Sequence, residues 1–535
     1  MFFCNTFIRG LKHPGYTTMS LRDGKSVAGA WSPSAALEGS ATFAPATSGI
    51  DAGNMLKHEL RRDQCSAQAS VGVHTSVCFH GPAQAVRSHF HIFRLRSTIQ
   101  SLKYQIACYF VVTMNIDFNI YATIILLALS IDYILNLLGD YLNLKALRPE
   151  LPDEFKDVYD EEKYRESQRY ERVNTRFSLV VSTFNLIVLL IFWFAGGFFH
   201  LDRIIRSRLP SDWSENTVVA GLCFAGSLLI LKFLINLPFR IYGTFVIEAR
   251  FGFNRTTPGV FIGDTLKITL LSTLLGAPLF AALIAFFEYA GDLAWLYCWI
   301  ATTVFVLVLQ FIAPRWIMPL FNKFTPLEQG ELRQAVEDYA AQVDFPLAGL
   351  YVIDGSRRST KSNAFFTGFG KHKRIALFDT LINQHTIPEL LTVLAHEIGH
   401  YKKKHILKGM VLNILHMGFL FFLLSIFLDS ASLFKAFGFE PPHMPIYAGF
   451  VFFGMLYAPI ELVLSIFLNA HMRKNEREAD HFAVETTGRR EAFAKALKKL
   501  SRDNLANLTP HPLCVKLHYS HPPVLERIRN INKQA

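Results

Sequence analysis

The hydrophobic positions of this chain of 535 residues fall into seven long apolar runs separated by polar segments. The runs lie at about 118–138, 177–199, 217–238, 268–289, 293–313, 406–428 and 447–470. A helix needs about 20 mainly apolar residues to cross the hydrocarbon core of a membrane. The pattern therefore predicts a mainly α-helical, polytopic membrane protein with seven transmembrane helices, of which the fourth and fifth form a helical hairpin about Gly291 and Asp292.

The composition favours the same fold class. Of all residues, 51% are hydrophobic and only 18% are charged, whereas a soluble domain carries about 25% charged residues. The 48 Phe and 18 Tyr exclude a chain that is disordered throughout. The cysteines form no CxxC pair, so the sequence indicates neither a disulfide framework nor a cysteine-based zinc site.

The distribution of basic residues predicts the orientation, because cytosolic loops are enriched in Lys and Arg. The loop after the first run is rich in both between Lys145 and Arg176, whereas the loop after the sixth run contains only Lys435. We therefore expect segments 314–405 and 471–535 to face the cytosol. The membrane would be the endoplasmic reticulum in a eukaryote or the inner membrane in a bacterium.

Residues 1–113 do not fit this topology. They would lie on the non-cytosolic side, although their Lys and Arg outnumber their Asp and Glu, and they show no sustained helical or strand periodicity. Met114 begins a short acidic segment that leads directly into the first run. We expect 1–113 to be translated upstream sequence or a removable presequence, with a disordered extension as the alternative.

The remaining chain divides at the apolar runs. Residues 114–313 contain spans one to five and their loops, and residues 406–470 contain spans six and seven. Between them, segment 314–405 is predicted to hold an amphipathic helix at 327–343 and two short strands at 350–354 and 374–379 that form a hairpin. A further helix begins with Thr386 as its cap and Pro388 in its first turn.

That last helix carries the sequence HEIGH at positions 396–400. His396 and His400 stand four residues apart, so both imidazoles project from one helix face and can bind the same zinc ion. Glu397 is then placed to take a proton from a water activated by the metal. The alternative is a surface helix with two solvated histidines.

A zinc site of this kind needs a third protein ligand. The helix that continues out of the seventh span offers Glu476, and Asp480 one turn further on can hydrogen-bond a ligand imidazole. An ordinary charged helix exit is the alternative. Glu478 points away from Glu476 on a helix and is the weaker candidate, while His405 follows three lysines and is interpreted as part of the membrane-interface flank.

Three motifs in this order resemble the type I CAAX prenyl endopeptidases, which are membrane zinc proteases with seven spans. They are HEIGH at 396–400, Glu476-x-x-Ala479-Asp480, and Ser520-His521-Pro522. The resemblance extends over about 115–535. It includes LPFRIYGTFVIE at 237–248, GFN at 252–254, DFP at 344–346, GSRRS at 355–359, SNA at 362–364 and LFDT at 377–380.

The resemblance implies a zinc metalloendopeptidase domain formed by 314–405 and 471–535, roofing a chamber that the seven helices surround. One Zn²⁺ per chain would be bound by His396, His400 and Glu476, with Glu397 as the general base and Asp480 behind the ligands. It also implies that Asn363, His521 and Arg527 line the substrate cleft, with His521 and Arg527 steadying the oxyanion.

The predicted function is removal of the C-terminal tripeptide from prenylated CAAX proteins. The expected partners are a peptide or protein substrate with a prenylated C-terminus and the lipid bilayer, with no nucleic acid. One alternative is a quality-control zinc protease of the HtpX type, without prenyl specificity. An alternative of another class is a transporter or receptor regulated by a metal, in which Glu397 would be dispensable.

Overall fold

The computed structural model describes residues 116–367 and 373–533, which are mainly helical. Residues 1–113, with the predicted presequence, lie outside this part of the chain. The helices, numbered in chain order, are α1 Ile120–Lys145, α2 Glu161–Phe194, α3 Gly197–Arg208, α4 Ser211–Ser214, α5 Thr217–Tyr242, α6 Pro258–Tyr289, α7 Ala294–Ile312, α8 Glu331–Gln342, α9 Asp379–Gln384, α10 Ile387–Lys402, α11 His405–Leu428, α12 Ala431–Lys435, α13 Ile446–Leu456, α14 Ala458–Thr487, α15 Arg490–Asp503, α16 Pro512–His518 and α17 Val524–Lys533.

Within the described residues, 6 helices are long and apolar enough to cross a membrane, or 7 if one bent pair counts as a single span. Their bounds are Ile120–Lys145, Glu161–Phe194, Thr217–Glu248, Pro258–Tyr289, Gly291–Leu320 and His405–Leu428, and the bent pair is Ile446–Leu456 with Ala458–Thr487. These helices coincide with the seven apolar runs. The prediction of a polytopic, mainly helical membrane protein is therefore confirmed.

The seventh span differs from a straight helix. Its two parts, α13 and α14, meet at an angle of 52°. Pro459 lies in the first turn of α14, where a proline is tolerated because the first amides of a helix have no helical partner. From there α14 continues without interruption to Thr487, so it brings Glu476 beyond the apolar run, as the sequence predicts.

A small sheet of four strands lies in the segment between the fifth and sixth spans. The strands are β1 Phe324–Pro326, β2 Leu347–Ile353, β3 Ala364–Thr367 and β4 Lys373–Phe378. Their order is β1-β2-β4-β3, with β2 and β4 parallel and the other two pairs antiparallel. This order leaves β3 at one edge of the sheet.

The sheet corrects one part of the sequence prediction. The runs 350–354 and 374–379 were expected to pair as a hairpin, but they lie in β2 and β4, which pair in parallel. The stretch between them is not a turn, because it contains a short 3₁₀ helix at Gly355–Arg357 and then β3. The hairpin of this sheet is formed instead by β3 and β4.

Helix α10 begins as the sequence predicts, with a reciprocal cap. The side chain of Thr386 accepts from the third backbone amide of the helix, and the Thr386 amide donates to Glu389 Oε2 at 3.0 Å. This arrangement satisfies two amides that the first turn would otherwise leave without partners. Lys499 of α15 donates to the same Glu389 oxygen at 2.7 Å, which fixes the start of α10 against its neighbour.

The two largest hydrophobic cores of the described residues lie in different parts of the chain. One surrounds α10, where Leu390, Val393 and Ile398 pack with buried residues of α8, α15, α17 and the sheet. The other lies among the spans and is strongly aromatic, with Phe437 stacked on Phe452 at a centroid distance of 3.9 Å. Every residue of α10 from Glu389 to His400 is buried, so this core fixes the helix and with it the direction of its histidines.

Candidate metal centre

Three predicted ligands converge at one buried point. The ligand atoms of His396, His400 and Glu476 all lie within 4.8 Å of one another. The two Nε2 atoms are 3.2 Å apart. Glu476 lies opposite them, with Oε2 3.3 Å from His396 Nε2 and Oε1 3.3 Å from His400 Nε2. The site is thus shared by α10, which follows the sheet, and α14, which extends the last span.

A glycine and an alanine allow these two helices to approach so closely. A Cβ placed on Gly399 would lie 3.3 Å from both Cα and the carbonyl oxygen of Ala479, and 3.1 Å from a ring carbon of Phe482. Ala479 itself is fully buried. The small residue inside HEIGH and the alanine between Glu476 and Asp480 therefore form the crossing point that brings the carboxylates to the imidazoles.

Asp480 fixes the tautomer of His396. Its Oδ1 lies 2.8 Å from His396 Nδ1, and because an ionised carboxylate only accepts, Nδ1 must donate. Nε2 then presents its lone pair to the shared point. Asp480 is in turn held by Arg527, whose Nε and Nη2 donate to its two oxygens at 2.9 Å and 2.6 Å.

His400 has an outer partner that the sequence analysis missed. His405 is buried, and its Nδ1 lies 3.1 Å from His400 Nδ1. On the far side of the ring, His405 Nε2 lies 3.0 Å from Glu478 Oε2. His405 is the first residue of the sixth candidate span, as its interpretation as membrane-interface flank implies, but it also contacts a predicted ligand. Its lysine-rich context hid a contact that depends on the turn between α10 and α11.

The donor set fits a zinc ion, for which two imidazoles and one carboxylate are a familiar protein ligand set. Burial lowers the pKa of His400. For His396, hydrogen bonds to Asp480 and Glu476 outweigh the burial and raise its pKa to about 9. The carboxylates of Asp480 and Glu476 therefore favour a positive charge between the ligands. A bound metal ion would supply that charge in place of a proton on His396.

The other predicted site residues lie at different positions around these three. Glu397 is buried in the turn of α10 that carries the two histidines. His521 Nε2 lies 3.1 Å from Glu476 Oε1. Asn363 directly precedes the edge strand β3, and its side-chain oxygen accepts from the Ala364 amide at 2.8 Å. The structure thus brings His521 to Glu476, and it brings Arg527 to Asp480 and to within 3.5 Å of His396 Nδ1.

A partly buried lysine anchors the segment that leads into β3. Lys361 Nζ lies 2.8 Å from Glu248 Oε2 and 2.8 Å from the Tyr170 hydroxyl, and 4.3 Å from the centroid of the Phe253 ring. Glu248 and Phe253 belong to the sequence segments 237–248 and 252–254, which the resemblance includes without a role for them. This cluster fixes the approach to Asn363 against the spans.

A second anchor lies at Arg358. Its Nε and Nη2 donate to the two carboxylate oxygens of Asp264 in α6, at 2.8 Å and 3.0 Å, and its Nη1 donates to Asn322 Oδ1 at 2.9 Å. A forked guanidinium–carboxylate pair of this kind fixes direction as well as distance. Sequence reasoning did not single out this residue, since a run of arginines beside serines also suits an exposed loop.

Two family models match the chain over nearly all of its described length. The model described as CAAX prenyl protease N-terminal, five membrane helices, matches residues 140–323. The model described as Peptidase family M48 matches residues 326–535. The second match contains the histidines, Glu397, Glu476, Asp480 and the other predicted site residues.

Similar proteins come from several eukaryotes. The CAAX prenyl protease 1 homolog of Arabidopsis thaliana is 37% identical, over 75% of this chain and 95% of the relative. The CAAX prenyl protease 1 of Saccharomyces cerevisiae is 36% identical, over 72% and 89%. The homolog of Homo sapiens is 32% identical, over 71% and 88%.

A solved structure agrees with the fold. The crystal structure of S. mikatae Ste24p superposes with a TM-score of 0.74 at 33% sequence identity. The match covers 77% of this chain and 99% of that one. The likeness therefore includes both the membrane helices and the segments that form the candidate centre.

Proposed function

Since this chain belongs to the CAAX prenyl protease 1 family of M48 metallopeptidases, we propose that it removes the C-terminal tripeptide of prenylated CAAX proteins. It is an integral membrane metalloprotease. One observation carries the proposal to this chain's own residues: His396, His400 and Glu476 meet at one buried point, and Glu397 lies in the same helical turn as the histidines.

The metal is proposed to be zinc, bound by the two Nε2 atoms and the Glu476 carboxylate. A zinc ion in such a site supplies Lewis-acid chemistry, since it makes hydroxide available near neutral pH and polarises a carbonyl group. The chain contributes the fixed geometry. His396 is oriented by Asp480, and Asp480 is held by the forked guanidinium of Arg527.

Glu397 is proposed as the general base. Its carboxylate would take a proton from the attacking water and pass it to the amine that leaves when the peptide bond breaks. Hydrolysis needs no other co-reactant, because the water supplies the hydroxyl to the new carboxyl group and the proton to the new amine. Burial of Glu397 keeps bulk water from competing for that proton.

His521 is proposed to donate a hydrogen bond to the oxygen on which negative charge develops. Its ring lies beside Glu476, at the edge of the candidate centre, where such a donor is needed. Arg527 has two nitrogens committed to Asp480. We therefore propose that its main contribution is to position Asp480 and, through it, His396.

The edge strand β3 is the proposed platform for the substrate. An extended peptide can add to an exposed strand edge through backbone hydrogen bonds, and β3 lies against α10. Asn363 stands at the start of that edge, where an amide can hold a passing backbone. The chamber that the resemblance implies would receive the prenyl group, and the catalytic side would face the cytosol at the endoplasmic reticulum.

The proposal is tested with the full chain in detergent and a farnesylated C-terminal peptide, with products identified by mass. We expect loss of the last three residues, abolished by a chelator and restored by zinc. The same peptide without its farnesyl group is the matched control. Equal cleavage of both peptides would favour a protease of the HtpX type, and cleavage that resists the chelator would refute the metal mechanism.

A further inference from the structure

The two ligand histidines have different outer partners. His396 is hydrogen-bonded to a buried carboxylate, that of Asp480, whereas His400 contacts a second imidazole, that of His405. Beyond His405 lies Glu478, whose side chain is 37% exposed and whose other oxygen lies 3.9 Å from Lys474 Nζ. One ligand is therefore oriented from within the protein, and the other through a two-residue relay that reaches the surface.

The donor and acceptor of each hydrogen bond in this relay follow from the chemistry of Glu478. Glu478 can only accept as a carboxylate, so the His405 Nε2 that lies 3.0 Å away must donate. A neutral His405 then carries a lone pair on Nδ1. Since that atom lies 3.1 Å from His400 Nδ1, the hydrogen between them belongs to His400, and His400 Nε2 is left with its lone pair facing the shared point.

The backbone places His405 specifically for this contact. Helix α10 ends at Lys402 and α11 begins at His405, so the two helices are joined by only two residues. Lys404 adopts a left-handed conformation with φ of 60°, which is uncommon for a residue with a side chain. The resulting turn places the ring of His405 next to that of His400, with the two ring centroids 5.2 Å apart.

We propose that His405 and Glu478 are positioning residues for the metal, acting by fixing the tautomer and ring orientation of His400. This inference rests on the proposed function, since it assumes that His400 is a ligand. Outer partners of ligand histidines contribute by raising ligand basicity and restricting ring rotation, and their loss typically costs about 10- to 100-fold in metal affinity or activity.

The test measures the zinc affinity of the purified full chain by competition with a chromogenic chelator. His405→Leu removes the acceptor and should weaken zinc binding about 10- to 100-fold. His405→Asn offers an amide oxygen near the position of Nδ1 and should stay within a few-fold of the wild type. Glu478→Ala frees His405 to change tautomer and should weaken binding by less than His405→Leu.

The matched control is His481→Leu. His481 lies on α14 beside Glu485, at 3.5 Å, but both side chains are well exposed, so this variant should bind zinc as the wild type does. Wild-type affinity in His405→Leu would overturn the inference, as would equal losses in His405→Leu and His405→Asn. Wild-type affinity in Glu478→Ala would remove Glu478 from the relay.

A second readout separates this inference from the proposed function. Cobalt substituted for zinc should give a visible absorption spectrum that shifts in His405→Leu and returns towards the wild type in His405→Asn. Neither measurement uses a peptide. If zinc affinity depends on His405 as stated while the farnesylated peptide is not cut, the proposed function fails and the relay stands. If the peptide is cut while His405→Leu, His405→Asn and Glu478→Ala all bind zinc as the wild type does, the proposed function stands and the relay fails.

Discussion

At the residue scale, the candidate centre depends on which atoms of each side chain are already engaged. Asp480 occupies His396 Nδ1, and His405 occupies His400 Nδ1, so both Nε2 atoms turn to the same point. The carboxylate of Glu476 completes the set from another helix. Removing the proposed general base should therefore have a different consequence from removing the partner of Asp480.

Glu397→Gln should abolish peptide cleavage while leaving zinc bound, because the amide keeps the shape of the side chain but cannot take a proton. The measurement combines cleavage of the farnesylated peptide with zinc content per chain. Glu485→Gln, an exposed change on α14, is the control and should leave both unchanged. Full cleavage by Glu397→Gln would exclude Glu397 as the base.

Arg527→Met should destabilise the protein by about 3 to 5 kcal/mol, since it leaves the Asp480 carboxylate buried without its cationic partner. It should also weaken zinc binding through His396. The free energy of unfolding is measured by detergent denaturation. Arg529→Met, on the same helix with a side chain 57% exposed, is the control and should change stability by about 1 kcal/mol or less. Equal effects of the two changes would contradict this role.

At the element scale, the site depends on the crossing of α10 and α14 at Gly399 and Ala479. Gly399→Leu should separate the helices and abolish zinc binding, because even one added carbon meets backbone atoms at 3.3 Å. Gly409→Leu is the control, since nothing lies within 4 Å of a Cβ at that position. Zinc content per folded chain is the measurement, with helicity checked by circular dichroism. Normal zinc content in Gly399→Leu would show that the crossing is not required.

Much of the fold could be predicted at this scale because membrane spans and helix caps are local signals. The apolar runs locate the spans, and Thr386 with Pro388 locates the start of α10. The parallel orientation of β2 and β4 could not be predicted in the same way. The two strands look alike in sequence, and their orientation depends on the connection between them, which contains β3 antiparallel to β4.

The site shows the same division between local and non-local signals. The spacing of i and i+4 on one helix identifies His396 and His400 from the sequence. The same spacing identifies Glu476 and Asp480. His405 was missed because its contact depends on a left-handed Lys404 and on the packing of α14 nearby. Lys361 was missed for a related reason, since Glu248 and Tyr170 lie far from it in sequence.

At the scale of the whole molecule, the membrane helices and the catalytic segments are joined by specific polar anchors. Arg358 holds Asp264 of α6, and Lys361 holds Glu248 and Tyr170. Both anchors flank the segment that leads into β3. The position of the proposed substrate platform therefore depends on the spans, which is consistent with one protein in which the membrane part and the peptidase part act together.

The predicted topology places loop 429–445 on the non-cytosolic side and the segment 488–511 in the cytosol. An Asn-x-Ser acceptor introduced into the first should be glycosylated in microsomes, and the same acceptor in the second should not, because glycosylation occurs only in the lumen. Gel mobility before and after removal of glycans is the measurement. Glycosylation of the second segment alone would reverse the orientation.

The proposed binding of one zinc ion by residues of both α10 and α14 is tested most directly by zinc X-ray absorption on the purified chain and on Glu476→Ala. For the wild type, we expect one zinc per chain in a shell of nitrogen and oxygen atoms at about 2.0 to 2.2 Å, without sulfur. Glu476→Ala should lose that zinc or the carboxylate contribution to its shell. If Glu476→Ala keeps the spectrum and the zinc content of the wild type, Glu476 is not a zinc ligand and the two helices do not share the ion.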